Sequence, residues 1–472
     1  MLDKAINGGR VFISGRFLPL HIGISDGRIA VLSRDPLEAQ KTVDARGRYV
    51  LPGAIDAHVH FRAPAHPEKE DFVSGTSAAV SGGVTTVFEM PLADVGTSTV
   101  ERLVRRRNIL SSEAICDFSL IAGIGGSNYE SAEEIAAAGA IAFKTFTRPA
   151  FPGRETNFDG CLAADELDLI RIARKVKGAG IIWSIHAENH EIVDELAADF
   201  DFHADLPEQE VVNVHLASKD ELSELDPLSR IIHVLRYTGA AAHIVHVTSE
   251  RAIALIRSAQ AEGIDITGEA SLPNLMLVDE EVRRLGRLGL LSPAIRTETD
   301  RKSLWEAAGE SEIVTFASDH ASYSKVDVSR GWNGAEKPEV GGIAGVEHMV
   351  PLLLTESRRL TGGIELAVTR LTEGVARRYG VWPRKGSLLP GADADIALIS
   401  ETDTRIDETA MKSKAAWTVF HDRAVDYRVD ETIVRGRTVY RDGEVVQSKG
   451  WGKYVNGPAL SAERAATGKL DG

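Results

Sequence analysis

The chain has 472 residues, 43% apolar and 26% charged, ordinary values for a folded protein with a sizeable core. They exclude a disordered, collagen-like or coiled-coil chain. Its 54 Lys and Arg against 69 Asp and Glu give a formal net charge of −15, which argues against binding nucleic acid or an anionic membrane, since both need clustered positive charge. Two cysteines, Cys116 and Cys161, are too few for a disulfide framework or a thiolate zinc site. The opening residues lack the apolar core of a signal peptide. No run of about 18 apolar residues occurs, so nothing is expected to span a bilayer. A soluble cytoplasmic protein is the expectation.

Residues 1–51 predict short strands and turns. Val11-Phe12-Ile13 and His21-Ile22-Gly23-Ile24 flank Gly15-Arg16, and Asp26-Gly27 leads into Arg28-Ile29-Ala30-Val31-Leu32; Asp-Gly between apolar alternations is a hairpin signal. The same texture returns at 394–399, 431–436 and 439–446. Neither segment is long enough to bury a face alone, so the two ends are expected to pair into one small β-sandwich domain. Between them, apolar runs at 54–58, 84–90, 117–122, 140–146, 181–186, 243–248, 264–268 and 313–318 alternate with amphipathic stretches such as 70–81, 164–178, 227–238 and 251–262. Eight such alternations predict an α/β chain built on a (β/α)8 TIM barrel. An open doubly wound sheet is the alternative, but no Gly-rich phosphate loop follows the first strand. The expected division is 1–51 and 384–456 for the β domain, 52–383 for the barrel, and 457–472 for a tail.

Barrel enzymes keep their chemistry at the C-terminal ends of the strands. Strand one ends in His58-Val59-His60, two imidazoles on one side of the strand. Strand four carries Lys144, strand five ends at His186, strand six at His246 and strand eight at Asp319. The spacing brings them to one ring, and His and carboxylate donors without Cys suit a catalytic divalent site. A buried lysine tends to lose its proton, and a neutral amine can add carbon dioxide to become a carbamate able to bridge two cations. Taken singly, His-x-His and Lys144 have structural explanations. His243 and His246 have opposite parity, so at most one is expected to point inward. His320, beside Asp319, shares that ambiguity.

At these residues the chain resembles the cyclic amidohydrolases: hydantoinases, dihydropyrimidinases, allantoinases and dihydroorotases. Val50–His60 is similar to their opening barrel strand, and Phe143-Lys144-Thr145-Phe146 to the segment bearing their carboxylated lysine. Ile185-His186-Ala187-Glu188-Asn189, Val245-His246-Val247-Thr248-Ser249 and Ser318-Asp319-His320 resemble their strands five, six and eight. Matches also fall at Ser292–Arg296, Gly342–Glu347 and Gly386–Asp395. The resemblance implies two zinc ions per subunit. His58, His60 and Asp319 would hold one, His186 and His246 the other, and N6-carboxylated Lys144 both. It further implies a bridging hydroxide that attacks a ring amide carbonyl, with Asp319 passing the proton to the leaving nitrogen. Ser292 would anchor the substrate through main-chain groups. The partner is then a small cyclic amide or ureide, and relatives form dimers and tetramers, so a homo-oligomer is expected.

The substrate features divide. Arg62 fits the arginine that dihydroorotases carry after His-x-His, but Leu92 stands where they place an Asn after Met-Pro. Hydantoinases place an oxyanion-stabilising Tyr where this chain has Pro149; allantoinases lack that Tyr and often read Met-Pro-Leu, as Met90-Pro91-Leu92 does here. The strand-seven segment Glu269-Ala270-Ser271-Leu272-Pro273-Asn274 departs from the usual Pro-His or Pro-Gln. Gly331-Trp332 and Gly450–Val455 look most like hydantoinases. The expectation leans to ring opening of a hydantoin or related ureide to the N-carbamoyl acid, with an allantoinase next. A dihydroorotase or a non-catalytic scaffold lies further off, the latter because all six candidate ligands are present.

Overall fold

The computed structural model describes residues 1–92, 96–148, 155–198, 200, 206–330 and 341–460. Pro149, Gly331 and Trp332, as well as tail residues 461–472, lie outside the described residues. Among those described, no helix is long and apolar enough to cross a membrane.

Strands β1 (Lys4–Ile13), β2 (Arg16–Ser25), β3 (Arg28–Ser33), β4 (Lys41–Asp44) and β5 (Tyr49–Pro52) open the chain. The first two hairpins turn on Ser14-Gly15 and Asp26-Gly27, with φ of 48° and 82°, then 50° and 72°. Positive φ at both central positions matches the twist of the flanking strands, which is why Gly recurs there. The barrel follows: β6 (Ala54–His60), β7 (Val84–Glu89), β8 (Asp117–Gly123), β9 (Ala142–Phe146), β10 (Ile182–His186), β11 (Ala242–Ile244), β12 (Ile266–Ser271) and β13 (Ile313–Ala317), then a two-residue β14 (His320–Ala321). The chain ends in β15 (Ile396–Arg405), β16 (Ala424–Val434), β17 (Arg437–Arg441) and β18 (Glu444–Val445).

The two ends share one sheet, ordered β18-β17-β16-β15-β5-β1-β2-β3 with β4 beside β1. Its seam is the antiparallel pair β5–β15, where Val50 faces Leu398. One apolar core draws Ile6, Val11, Ile22 and Val50 from the start of the chain, and Leu388, Ile396, Leu398 and Ile433 from its end. Neither end could bury this face alone.

All eight expected barrel strands are present and run parallel in chain order from β6 to β13. The ring closes through β14, which pairs with β6 at His320↔Val59 and Ala321↔His60. Asp319 therefore occupies the break between β13 and β14, at φ 49°. The sixth strand is shorter than expected and stops at Ile244. The helix before it starts at Leu222, ahead of Pro227, which stands inside it. Proline has no N–H to give the Ser223 carbonyl one turn back; the Asn189 N–H takes that carbonyl instead, at 2.7 Å. The freed acceptor thus ties down the loop that follows His186.

The domains are riveted by a buried ionic cluster. Lys385 Nζ lies 2.5 Å from Asp117, 2.6 Å from Asp395 and 3.1 Å from Asp393, and Arg435 also pairs with Asp117. Three converging carboxylates resemble a cation site, but the ammonium already fills it. The segment after β18 packs here too: Lys453 N–H donates to Asp117 at 2.8 Å and Val455 N–H to the Phe118 carbonyl at 2.7 Å.

His348 offers a pH test of the packing. Burial lowers its pKa to about 4, helped by neighbouring His320, against about 6.5 in the unfolded chain. Its contribution is therefore complete above pH 6.5 and is lost as pH falls toward 4. Denaturant titrations across that window should show wild type losing on the order of 3 kcal/mol more than His348→Leu. Parallel stability curves for the two proteins would remove the histidine from the account.

Candidate metal centre

The strand ends converge as their spacing implies. His58 Nε2 and His60 Nε2 lie 3.3 and 3.5 Å from Asp319 Oδ1, and one donor atom from each of the three residues fits within 4.8 Å of the others. Across the mouth, His186 Nδ1 and His246 Nε2 are 2.9 Å apart. The His58 and His246 rings approach to 5.5 Å, so the two groups form one ring of donors. Lys144 is fully buried, and its Nζ has no hydrogen-bond partner.

Both histidines of the sixth strand point inward, contrary to the parity expectation. His243 bonds Thr267 Oγ1 on the adjacent strand at 2.8 Å and Thr315 Oγ1 one strand further on at 2.9 Å. The strand ends at Ile244, and His246 adopts φ 40°, which breaks the alternation and swings its ring into the mouth. His243, satisfied at both nitrogens, is a packing residue. His320 turns away toward Glu70, 3.4 Å off, and so anchors β14 beside Asp319.

Two carboxylates that the motif reading left without a role set the imidazoles. Glu269 on β12 lies 2.7 Å from His58 Nδ1 and also accepts the His246 N–H at 3.3 Å. Glu188 lies 3.3 Å from His186 Nε2, while Lys219 holds its other oxygen at 2.8 Å. A nitrogen that donates to a carboxylate leaves the opposite one with its lone pair. His58 thus offers Nε2 and His186 offers Nδ1, the atoms that face Asp319 and His246. The signal for Glu269 was present: an ionisable side chain at inward parity near the C-terminal end of a barrel strand. Glu89 on β7 acts one step further out, accepting the N–H groups of Phe61 and Arg62 at 3.0 and 2.8 Å. Arg106 neutralises it at 2.6 Å.

The electrostatics favour ligation. Burial lowers His58 and His60 to about 3 and holds His186 and His246 well below the usual histidine value, so all four rings are neutral. Burial opposes ionisation of Asp319, yet its pKa lies below the usual carboxylate range, so the carboxylate is charged among neutral rings. Burial also drives Lys144 toward its neutral amine. Neutral imidazoles, a charged carboxylate and an unpaired amine are a donor set that fits hard-to-borderline divalent cations.

The cavity over these atoms has a volume of about 110 Å³. Arg62 and Ser292 line it, as do Leu92, Arg148, Phe158, His215, Leu291 and Tyr323. The Arg62 guanidinium stacks on the Tyr323 ring at 4.3 Å. All eight sequence-derived site residues therefore border one space.

The model of the amidohydrolase family matches residues 49–439. The chain belongs to the amidohydrolase family. Among amidohydrolase relatives, an allantoinase of Rubrobacter xylanophilus is 33% identical, covering 98% of this chain and 99% of its own. An L-hydantoinase of Paenarthrobacter aurescens is 28% identical over 96% of this chain and 98% of its own. The solved L-hydantoinase (dihydropyrimidinase) of Arthrobacter aurescens matches with a TM-score of 0.89 at 27% identity, covering 97% of this chain and all of that one. That likeness extends to the arrangement of the whole amidohydrolase chain, barrel and end-built β-sandwich alike.

Proposed function

We propose that the protein is a metal-dependent hydrolase that opens a hydantoin or related cyclic ureide to its N-carbamoyl acid. The observation that carries this reading is the ring of donors with the partnerless Lys144 amine among them. His58, His60 and Asp319 would hold one zinc ion, His186 and His246 a second, and carboxylated Lys144 both. When bound, such ions lower the pKa of water and polarise an amide carbonyl.

The chain's own groups do the rest. Water adds its oxygen to the ring carbonyl carbon, the ring C–N bond breaks, and one proton must travel from that water to the leaving nitrogen. Asp319, ionised and beside both histidines of the first strand, is the group for that transfer. Glu269 and Glu188 hold the His58 and His186 rings in their ligating tautomers. Arg62 and the main chain at Ser292 would orient the ring, and apolar Leu92, Phe158 and Leu291 limit the water that shares the cavity.

Allantoin is the second reading. The 33% identical relative named allantoinase favours it, and so does Leu92 at the cavity wall, which gives a ring carboxylate no donor there. A panel of hydantoin, 5-substituted hydantoins, dihydrouracil, allantoin and dihydroorotate, followed by ring-opening absorbance, separates them. The expected result is turnover of a hydantoin or allantoin, with about two zinc ions per chain, complete loss on chelation, and recovery on adding zinc back. A purified protein that holds no divalent metal, yet stays active, would sink the reading.

A further inference from the structure

The helix Glu208–Ser218 carries a histidine that this chemistry leaves without a task. His215 is only 5% exposed and lines the same cavity as His58, Lys144 and Asp319, yet its Nε2 has no hydrogen-bond partner. By contrast His243, buried for packing, is satisfied at both nitrogens by Thr267 and Thr315. His348 also has an unpaired Nε2, but it borders no part of this cavity. Among the described histidines outside the ligand set, His215 alone combines the two features.

Its protonation state follows from its surroundings. Burial, with Lys219 nearby, lowers its pKa to about 3, so the ring is neutral wherever the enzyme works. The Leu291 backbone hydrogen-bonds to the ring, and with Nε2 unpaired that contact falls to Nδ1. A neutral imidazole that donates from Nδ1 presents a lone pair at Nε2. Arg62 and Arg148, on the same walls, offer only donors.

We propose that His215 is a substrate-binding residue whose Nε2 accepts an N–H of the ureide, while the arginines face its carbonyl groups. This rests on the cyclic-ureide reading above and narrows it. The preferred substrate carries N–H and C=O side by side away from the bond that breaks, as a ureide does and a simple lactam does not.

The test uses the zinc-loaded full chain and the ureide it turns over best. His215→Phe should raise KM about tenfold to a hundredfold, the cost of a buried polar group left unpaired, with kcat within about threefold and zinc content unchanged. His215→Gln, which restores an acceptor, should recover most of the loss. An unchanged KM in His215→Phe, or a loss of zinc with no separate effect on KM, overturns the proposal. Should His215→Phe fail to fold, singly N-methylated substrates decide it. One of them should bind at least about tenfold more weakly than its parent to wild type, and that penalty should shrink in His215→Ala. Equal binding of every methylated form overturns the assignment. Failure of wild type to open any ring of the panel counts against the reaction itself rather than against His215.

Discussion

Lys144→Ala is expected to lower kcat by about three orders of magnitude or more, because losing a ligand shared by two cations removes several kcal/mol of stabilisation of developing charge. The substituted chain should still fold, since Lys144 Nζ makes no hydrogen bond that the fold would miss. Zinc content should fall below two per chain. Acetate or propionate should restore part of the activity, because a carboxylate that diffuses into the vacated space presents the same pair of oxygens as a carbamate. Labelled bicarbonate should give a carbamate signal in wild type that Lys144→Ala lacks. Retention of full activity and both cations in Lys144→Ala would remove the bridging role, and with it the two-cation reading.

The second large effect is expected at Glu269. In Glu269→Ala the His58 ring loses the carboxylate 2.7 Å from Nδ1, so nothing keeps the Nε2 lone pair turned toward Asp319. Removing such a partner typically weakens metal binding about tenfold to a hundredfold, and the position beside Lys144 places this substitution at the upper end. Glu269→Gln keeps an oxygen acceptor for Nδ1–H and should lose less. Competition with a chelator of known affinity measures both variants directly, independent of turnover. Two affinities equal to wild type would show that His58 is oriented by its strand alone.

Much of this molecule was legible in its residues. His58-Val59-His60, Lys144, His186, His246 and Asp319 sit at strand ends because apolar β-branched runs mark the strands, and a parallel barrel brings like ends together. The pairing of the two chain ends was legible because neither carries enough apolar surface to stand alone. The misreading of the sixth strand has a physical cause: alternation holds only while the chain stays extended, and His246 at φ 40° lies past that limit. Pro227 misled in the same way, as a helix start, because only the fold supplies the Asn189 N–H that makes an internal proline tolerable.

The sequence by itself determined which side chains could ligate, which strands would present them, and that both ends would join in one β domain. These are matters of residue type and periodicity. Tertiary structure alone decided the tautomers of His58 and His186, through Glu269 and Glu188, and the orphaned nitrogen of His215 at the cavity wall. It also decided that Lys385 fills the nest of Asp117, Asp393 and Asp395. Those outcomes depend on which groups meet across hundreds of residues and on whether water reaches them, and neither distance nor burial is written in local pattern.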